Sequence, residues 1–252
     1  MSTRALQRVL FLDIETVPQY PKLEASPPDF QAQWAHKAKW LDRLGQDSDY
    51  QRAGIYAEFG RVAAWAVGWL VWEEGQSPKL HRRSMAHASE SHLLEEFASL
   101  LEQLSSEGDA WSLAAHNGRE FDFPFLARRM LACRVLLPEL LDNRGRYARN
   151  GRLLDSLEAW KFGDYKHSVG LETLARTLGL PAGKQLMTGA EVYHYWYEQQ
   201  NLDAIAAYAE EDVLQLCRIM CVLGGHFRLA EQLCGADSVA DAGAKKAMAS
   251  RS

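Results

Sequence analysis

Hydrophobic positions along the chain follow two periods, and the places where one gives way to the other predict its elements. Val9-Leu10-Phe11-Leu12 is an unbroken apolar run with β-branched and aromatic members, which reads as a buried strand leading into Asp13-Ile14-Glu15-Thr16. Pro18, Pro21, Pro27 and Pro28 stop regular structure after it. Phe30, Trp34, Ala38 and Leu41 then fall at helical spacing and predict a helical insertion near residues 20–59. A long apolar strand is expected over residues 61–72, and a shorter one over 79–84 after a turn at Glu73-Glu74-Gly75. Leu93, Leu94, Phe97, Leu100, Leu101 and Leu104 repeat at helical period and mark a helix that starts around Ser89. Residues 111–115 form a fourth strand. Three neighbouring strands, a helix and a further strand predict an α/β fold with a mixed central β-sheet flanked by helices.

The second half is more helical. Asn117-Gly118 is a turn signal, and Asp122 with Pro124 behind it opens a helix that runs through Arg128, Arg129 and Met130. A short strand is expected at residues 153–155, then a helix over 171–178 ended by Gly179 and Pro181. Another helix over 190–199 carries Val192, Tyr193, Tyr195, Trp196 and Tyr197, taken as core. The last strong helix covers 202–223. Beyond Leu233 the sequence is small, polar and aperiodic, so 234–252 is expected to be a disordered tail behind a single domain at 1–233.

Composition narrows the possibilities. With 252 residues, 47% hydrophobic, the chain can bury a substantial core. A formal charge of −5 means that a polyanion would have to meet a local basic surface or bound metal. Residues 128–167 offer one such surface, with nine Lys and Arg against five acids, and the alternative is a solvated loop of mixed charge. Cys133, Cys217, Cys221 and Cys234 show no CxxC spacing and no disulfide framework. No apolar signal core opens the chain and no run approaches the ~18 residues of a membrane span. A cytoplasmic protein without membrane contact is the expectation.

The chemistry lies in carboxylates. Asp13 and Glu15 stand two residues apart in a strand, so both side chains leave one face while Ile14 leaves the other. Two like charges side by side at the end of an apolar strand repel, and a divalent cation relieves that; two solvated acids are the bland alternative. Asp122 on its own reads first as a helix cap, and the alternative is a third carboxylate at the carboxyl edge of the sheet, where open α/β sheets bind ligands. Tyr208 and Asp212 share a helix face one turn apart, on an apolar stripe where an Asp calls for a partner. Glu210 and Glu211 are expected on the opposite, solvated side. His116 has no neighbour in sequence to orient it and reads as structural.

Taken together, these stretches resemble the three motifs of the DEDD 3′–5′ exonuclease superfamily, whose fold is ribonuclease-H-like. Phe11-Leu12-Asp13-Ile14-Glu15-Thr16 looks like the first motif, Asn117 to Asp122 the second, and Tyr208-Ala209-Glu210-Glu211-Asp212 the third, in its tyrosine-type (DEDDy) form. The histidine-type form would want His at 207, where this chain has Ala207. Phe59-Gly60-Arg61-Val62 and the segment from Gly183-Lys184 to Val192 further resemble a stand-alone group related to the proofreading domain of B-family DNA polymerases. The resemblance implies that Asp13, Glu15, Asp122 and Asp212 hold two divalent cations, Mg²⁺ or Mn²⁺. It also implies that Tyr208 aims the attacking water and that Thr16, Asn117 and Phe121 hold the terminal nucleotide. The expected partner is a nucleic acid with a free 3′ end, with DNA repair as the setting. The rival readings are a catalytically inactive nucleic-acid-binding or scaffold domain and a ribonuclease-H-like endonuclease.

Overall fold

The computed structural model describes residues 6–73, 77–106, 111–144, 151–164, 166–183 and 187–235. Its strands are β1 (Val9–Pro18), β2 (Gly60–Val71), β3 (Lys79–Ala86), β4 (Ser112–Ala115) and β5 (Leu153–Asp155). The helices are α1 (Pro28–Arg43), α2 (Glu90–Ser106), α3 (Asp122–Ala132), α4 (Ser156–Lys161), α5 (Leu171–Thr177), α6 (Val192–Tyr197), α7 (Leu202–Leu223) and α8 (Phe227–Gly235). The sheet order is β3-β2-β1-β4-β5. β1 pairs antiparallel with β2 and parallel with β4, β2 pairs antiparallel with β3, and β4 pairs parallel with β5. The sheet is therefore mixed, as the order of elements predicts.

Alternation along β1 divides the molecule into two layers. Leu10, Leu12 and Ile14 enter a cluster with Trp65, Phe97 and Phe125, on the side where α2 and α3 pack. Val9 and Phe11 enter another, with Ala66, Ala114, Val213 and Cys217, on the side of α7. Asp13 and Glu15 continue the second row, so they point towards α7. A register shift between Glu15 and Thr16 against β2 marks a bulge, a device that re-aims the chain beside a site. α7 lies close on the sheet because β2 carries Gly68 beneath it. A Cβ there would come 2.7 Å from Cγ1 of Val213.

The insertion holds α1 and two 3₁₀ turns, Leu23–Ala25 and Tyr50–Ile55. Its small core brings Trp34 and Phe30 edge-on to Phe59, with ring centroids 5.2 and 5.4 Å apart. Hydrogen bonds from Gly60 N to Tyr56 O (2.7 Å) and Gln19 N to Phe59 O (2.9 Å) tie it to the sheet.

The structure departs from the periodicity in several places. β1 continues to Pro18, whose register partner is Gly60. α4 and α8 were not predicted; α4 is only six residues long and follows β5 without a break. In the stretch 190–199 only Val192 is buried. The aromatic rings around it are half-buried, and Tyr197 donates its hydroxyl to the carbonyl of Pro18 at 2.6 Å while Tyr193 donates to Pro21. These amphipathic rings cover the exit of β1 and keep their polar tips bonded. The disordered tail expected over 234–252 starts too early, because residues 234 and 235 close α8; 236–252 lie outside the described residues. No described helix is long and apolar enough to cross a membrane.

Candidate active site

Asp13 and Glu15 from β1 meet Asp212 from α7, with ligand oxygens all within 4.8 Å of one another. The strand's alternation and the seating of α7 on Gly68 bring them together. Asp122 is also buried, at 4% exposed, and begins α3. It is the first helical residue and Phe121 the N-cap, so the cap reading is corrected. Its carboxyl accepts from its own backbone N–H and from that of Ile14, which turns it towards β1.

Crowding and burial have one electrostatic consequence. Burial, then Glu15, Asp212 and Asp122, raise the pKa of Asp13 well above the ordinary value. Glu15 is raised by burial, then by Asp212 and Asp122. Burial pushes Asp122 up to about 7, against the hydrogen bonds from Asp122 and Ile14 N–H. Asp212 is raised to about 6 by burial, opposed by a hydrogen bond from the Tyr208 hydroxyl and aided by Glu211 and Glu172. Burial, then the charges of Asp212, Glu15 and Asp13, raise Tyr208 itself, so its phenol stays protonated. One oxygen of Asp13, Oδ2, is buried without a hydrogen-bond partner. Such an all-oxygen, crowded and under-bonded set fits a hard divalent cation.

Two cavities flank the acids. One of about 570 Å³ is lined by Glu15, Thr16, Arg52, Ile55, Phe121 and Tyr193, among others. The other, about 350 Å³, lies against Leu171, Glu172, Met187, Tyr208 and Asp212. Of the residues expected to hold a nucleotide, Thr16 and Phe121 line the first cavity. Asn117 lines neither. It stands in the left-handed region at φ 59°, where Asn is one of the few tolerated side chains, and its carbonyl accepts from Phe121 N at 3.0 Å.

The structure adds Asp155, which the sequence did not single out. This carboxylate at the end of β5 accepts the backbone N–H groups of Asn117 and Arg119, each at 3.0 Å, and of Leu157 at 2.9 Å and Glu158 at 3.3 Å. It caps α4 and pins the turn that delivers Phe121 and Asp122. Its available signal was an Asp closing an apolar strand just before a helical stretch.

His116 takes the structural place expected of it, with Ser156 Oγ at 2.8 Å from Nδ1 and the carbonyl of Val169 at 2.8 Å from Nε2. Other readings are corrected. Glu210 and Glu211 are not simply solvated, because α7 lies against β3. Ser84 donates to Glu210 at 2.6 Å, and the buried Arg82 donates to the Glu210 carbonyl at 3.1 Å and stands 3.9 Å from the Glu211 carboxylate. The basic stretch is largely spent on internal partners. Arg129 is buried and bidentate on Glu90, at 2.9 and 2.7 Å. Arg144 pairs with Asp142, Arg152 with Glu139 and Lys161 with Glu158. Arg146 and Arg149 lie outside the described residues.

A mixed five-stranded sheet with acids from its first strand, from the helix after β4 and from a late helix defines a ribonuclease-H-like nuclease, a 3′–5′ exonuclease of the DEDD superfamily. The chain belongs to the family described as predicted 3′–5′ exonucleases related to the exonuclease domain of PolB, whose model matches residues 55–231. Asp13 and Glu15 stand ahead of that match. The fold is similar to that of the family B DNA polymerase from the hyperthermophilic archaeon Pyrobaculum calidifontis, with a TM-score of 0.50 and 17% identity over 91% of this chain and 27% of the polymerase. The chain thus spans about a quarter of that protein's length. The RNase domain of the yeast Pop2 protein aligns with a TM-score of 0.35 and 13% identity, over 87% of this chain and 79% of that domain. No protein of curated function matches the chain.

Proposed function

We propose that this exonuclease removes nucleotides from the 3′ end of single-stranded nucleic acid, with DNA as its substrate, and releases 5′-mononucleotides by a two-metal mechanism. The observation that carries the reading is the meeting of Asp13, Glu15 and Asp212 within 4.8 Å, with an unbonded buried oxygen on Asp13. Asp13, Glu15, Asp122 and Asp212 would hold two divalent cations, Mg²⁺ or Mn²⁺. The ions, when bound, supply a hydroxide at neutral pH and counter-charge for the phosphate and the departing 3′ oxygen.

The chain's own residues do the rest. Tyr208 keeps its proton and hydrogen-bonds Asp212, so it suits the aiming of a water rather than its deprotonation. This supports the tyrosine-type form of the motif. Thr16 and Phe121 line the cavity beside Glu15, and a backbone N–H and an aromatic ring there would suit the terminal sugar and base. Asn117 serves this subsite by turning the chain into Phe121. Attack by water on phosphorus breaks the bond to the 3′ oxygen of the preceding nucleotide, which leaves with a proton, and the released nucleotide keeps its 5′-phosphate.

The test is a 5′-end-labelled single strand incubated with Mg²⁺, with Mn²⁺ and with chelator. A ladder shortened from the 3′ end, stopped by EDTA and absent with Asp13→Asn, is expected. Internal cuts would make the protein an endonuclease, and no hydrolysis with either ion would make it a binding domain.

A further inference from the structure

Phe162 is held in a place that costs the fold twice. It follows α4 as its C-cap in the left-handed conformation, φ 47° and ψ 31°, where a Cβ is strained and glycine is the usual residue. It is also 88% exposed, the most exposed of the large apolar side chains among the described residues. Gly163 beside it takes its own left-handed turn at φ 93°. Nothing in the described fold repays the ring. Strain of this kind, once observed, is a pointer to function.

The segment that carries the ring is firmly held. Asp164 N donates to the Lys161 carbonyl at 2.8 Å, and His167 N to the Asp164 carbonyl at 3.1 Å. The Trp160 indole donates to His167 Nε2 at 3.2 Å. Both ends are anchored on the turn that leads into Asp122. At one end α4, which leads into Phe162, is capped by Asp155, the same carboxylate that accepts from the Asn117 and Arg119 N–H groups. At the other, the Val169 carbonyl accepts from His116 Nε2 at 2.8 Å. The chain then passes through Gly170 and Leu171 into the lining of the cavity that holds Tyr208 and Asp212. Every described residue from 162 to 168 is exposed. The segment is a strap from the Asp122 turn to the edge of the catalytic acids, with Phe162 near its start.

We propose that Phe162 is a stacking platform for an unpaired base of the substrate strand, on the side of the scissile phosphate away from the terminal nucleotide. The inference deepens the nuclease reading and rests on it. A protein partner would be expected to find an apolar patch. In sequence the ring's neighbours along the strap are Gly163, Asp164, Tyr165, Lys166, His167 and Ser168, with Trp160 and Lys161 before it. A base asks for flat rings with cations near by, and stacking of this kind tolerates any sequence. Strands long enough to reach from the acids to the strap gain affinity, and a dinucleotide does not.

Phe162→Gly and Phe162→Tyr separate the possibilities. Glycine relieves the backbone strain, so the Gly variant should melt at the same temperature or higher, whereas a ring with a structural role would make it less stable. On a ten-nucleotide single strand the Gly variant should show KM raised about tenfold with kcat unchanged, and the Tyr variant should behave as the parent. On a dinucleotide all three proteins should be alike. Equal KM on the long strand, an equal loss on the dinucleotide, or a lowered melting temperature would each overturn the platform. If the parent protein hydrolyses neither substrate, it is the nuclease reading that fails, and fluorescence anisotropy of a labelled strand with the parent and Gly variants then tests the platform alone. A tenfold weaker complex with the Gly variant supports it, and equal binding ends it.

Discussion

At the scale of single residues, Tyr208 and the acids answer differently to mutation. Tyr208 hydrogen-bonds Asp212, and its pKa is raised by burial and by Asp212, Glu15 and Asp13, so the phenol can orient water but cannot take its proton. Tyr208→Phe keeps the ring and should lower single-turnover hydrolysis by about 10²-fold with strand affinity nearly unchanged. Asp122→Ala or Asp212→Ala should abolish turnover, since groups that act as one unit do not contribute additively. The same replacements relieve repulsion, so melting in chelator should be no lower than for the parent. A variant that kept near-normal rates would not be a ligand. These residues were legible because their relationships are local: Asp13 and Glu15 share a strand face, and Tyr208 and Asp212 share a helix turn. Arg129 was misread because its partner Glu90 is 39 residues away in the chain, and no period in the sequence reports that distance.

Between elements, the joint that matters most is the one made by Asp155. One carboxylate accepts four backbone N–H groups from two segments, and so fixes the turn between β4 and α3 against the start of α4. Asp155→Asn keeps the shape but replaces one accepting oxygen by a donor, leaving buried N–H groups unmatched. The expected result is a loss of about 1–3 kcal/mol in denaturant unfolding, with hydrolysis reduced through displacement of Asp122 and Phe121. Equal stability and equal turnover would remove Asp155 from the support of the site. Strands and long helices were readable from periodicity because each spends many residues repeating one pattern. The turn 116–121 and α4 were not, because they are held by hydrogen bonds to side chains from other elements.

For the molecule as a whole, the site sets a dependence of stability on pH. Asp122 at about 7 and Asp212 at about 6 lie above the ordinary carboxylate value of 3.8, so between about pH 4 and 7 the folded state binds more protons than the unfolded chain. Their contribution is complete below the unfolded pKa and is lost as pH rises through the folded values. His116, whose pKa is lowered by burial, works the opposite way below its ordinary 6.5. The effect is therefore read as a difference: in chelator, the parent should lose more melting temperature than Asp122→Asn between pH 5 and 8. Saturating Mg²⁺ should restore most of that loss at pH 8, and an unchanged difference between the two proteins would contradict the shift. There is also a consequence in time. Asp13 and Glu15 belong to the first strand and Asp212 to the helix that starts at Leu202, with the rest of the sheet made in between. A chain emerging from the ribosome carries its acid pair early, and the third carboxylate can join it only once that helix follows, so a half-made copy cannot gather all three.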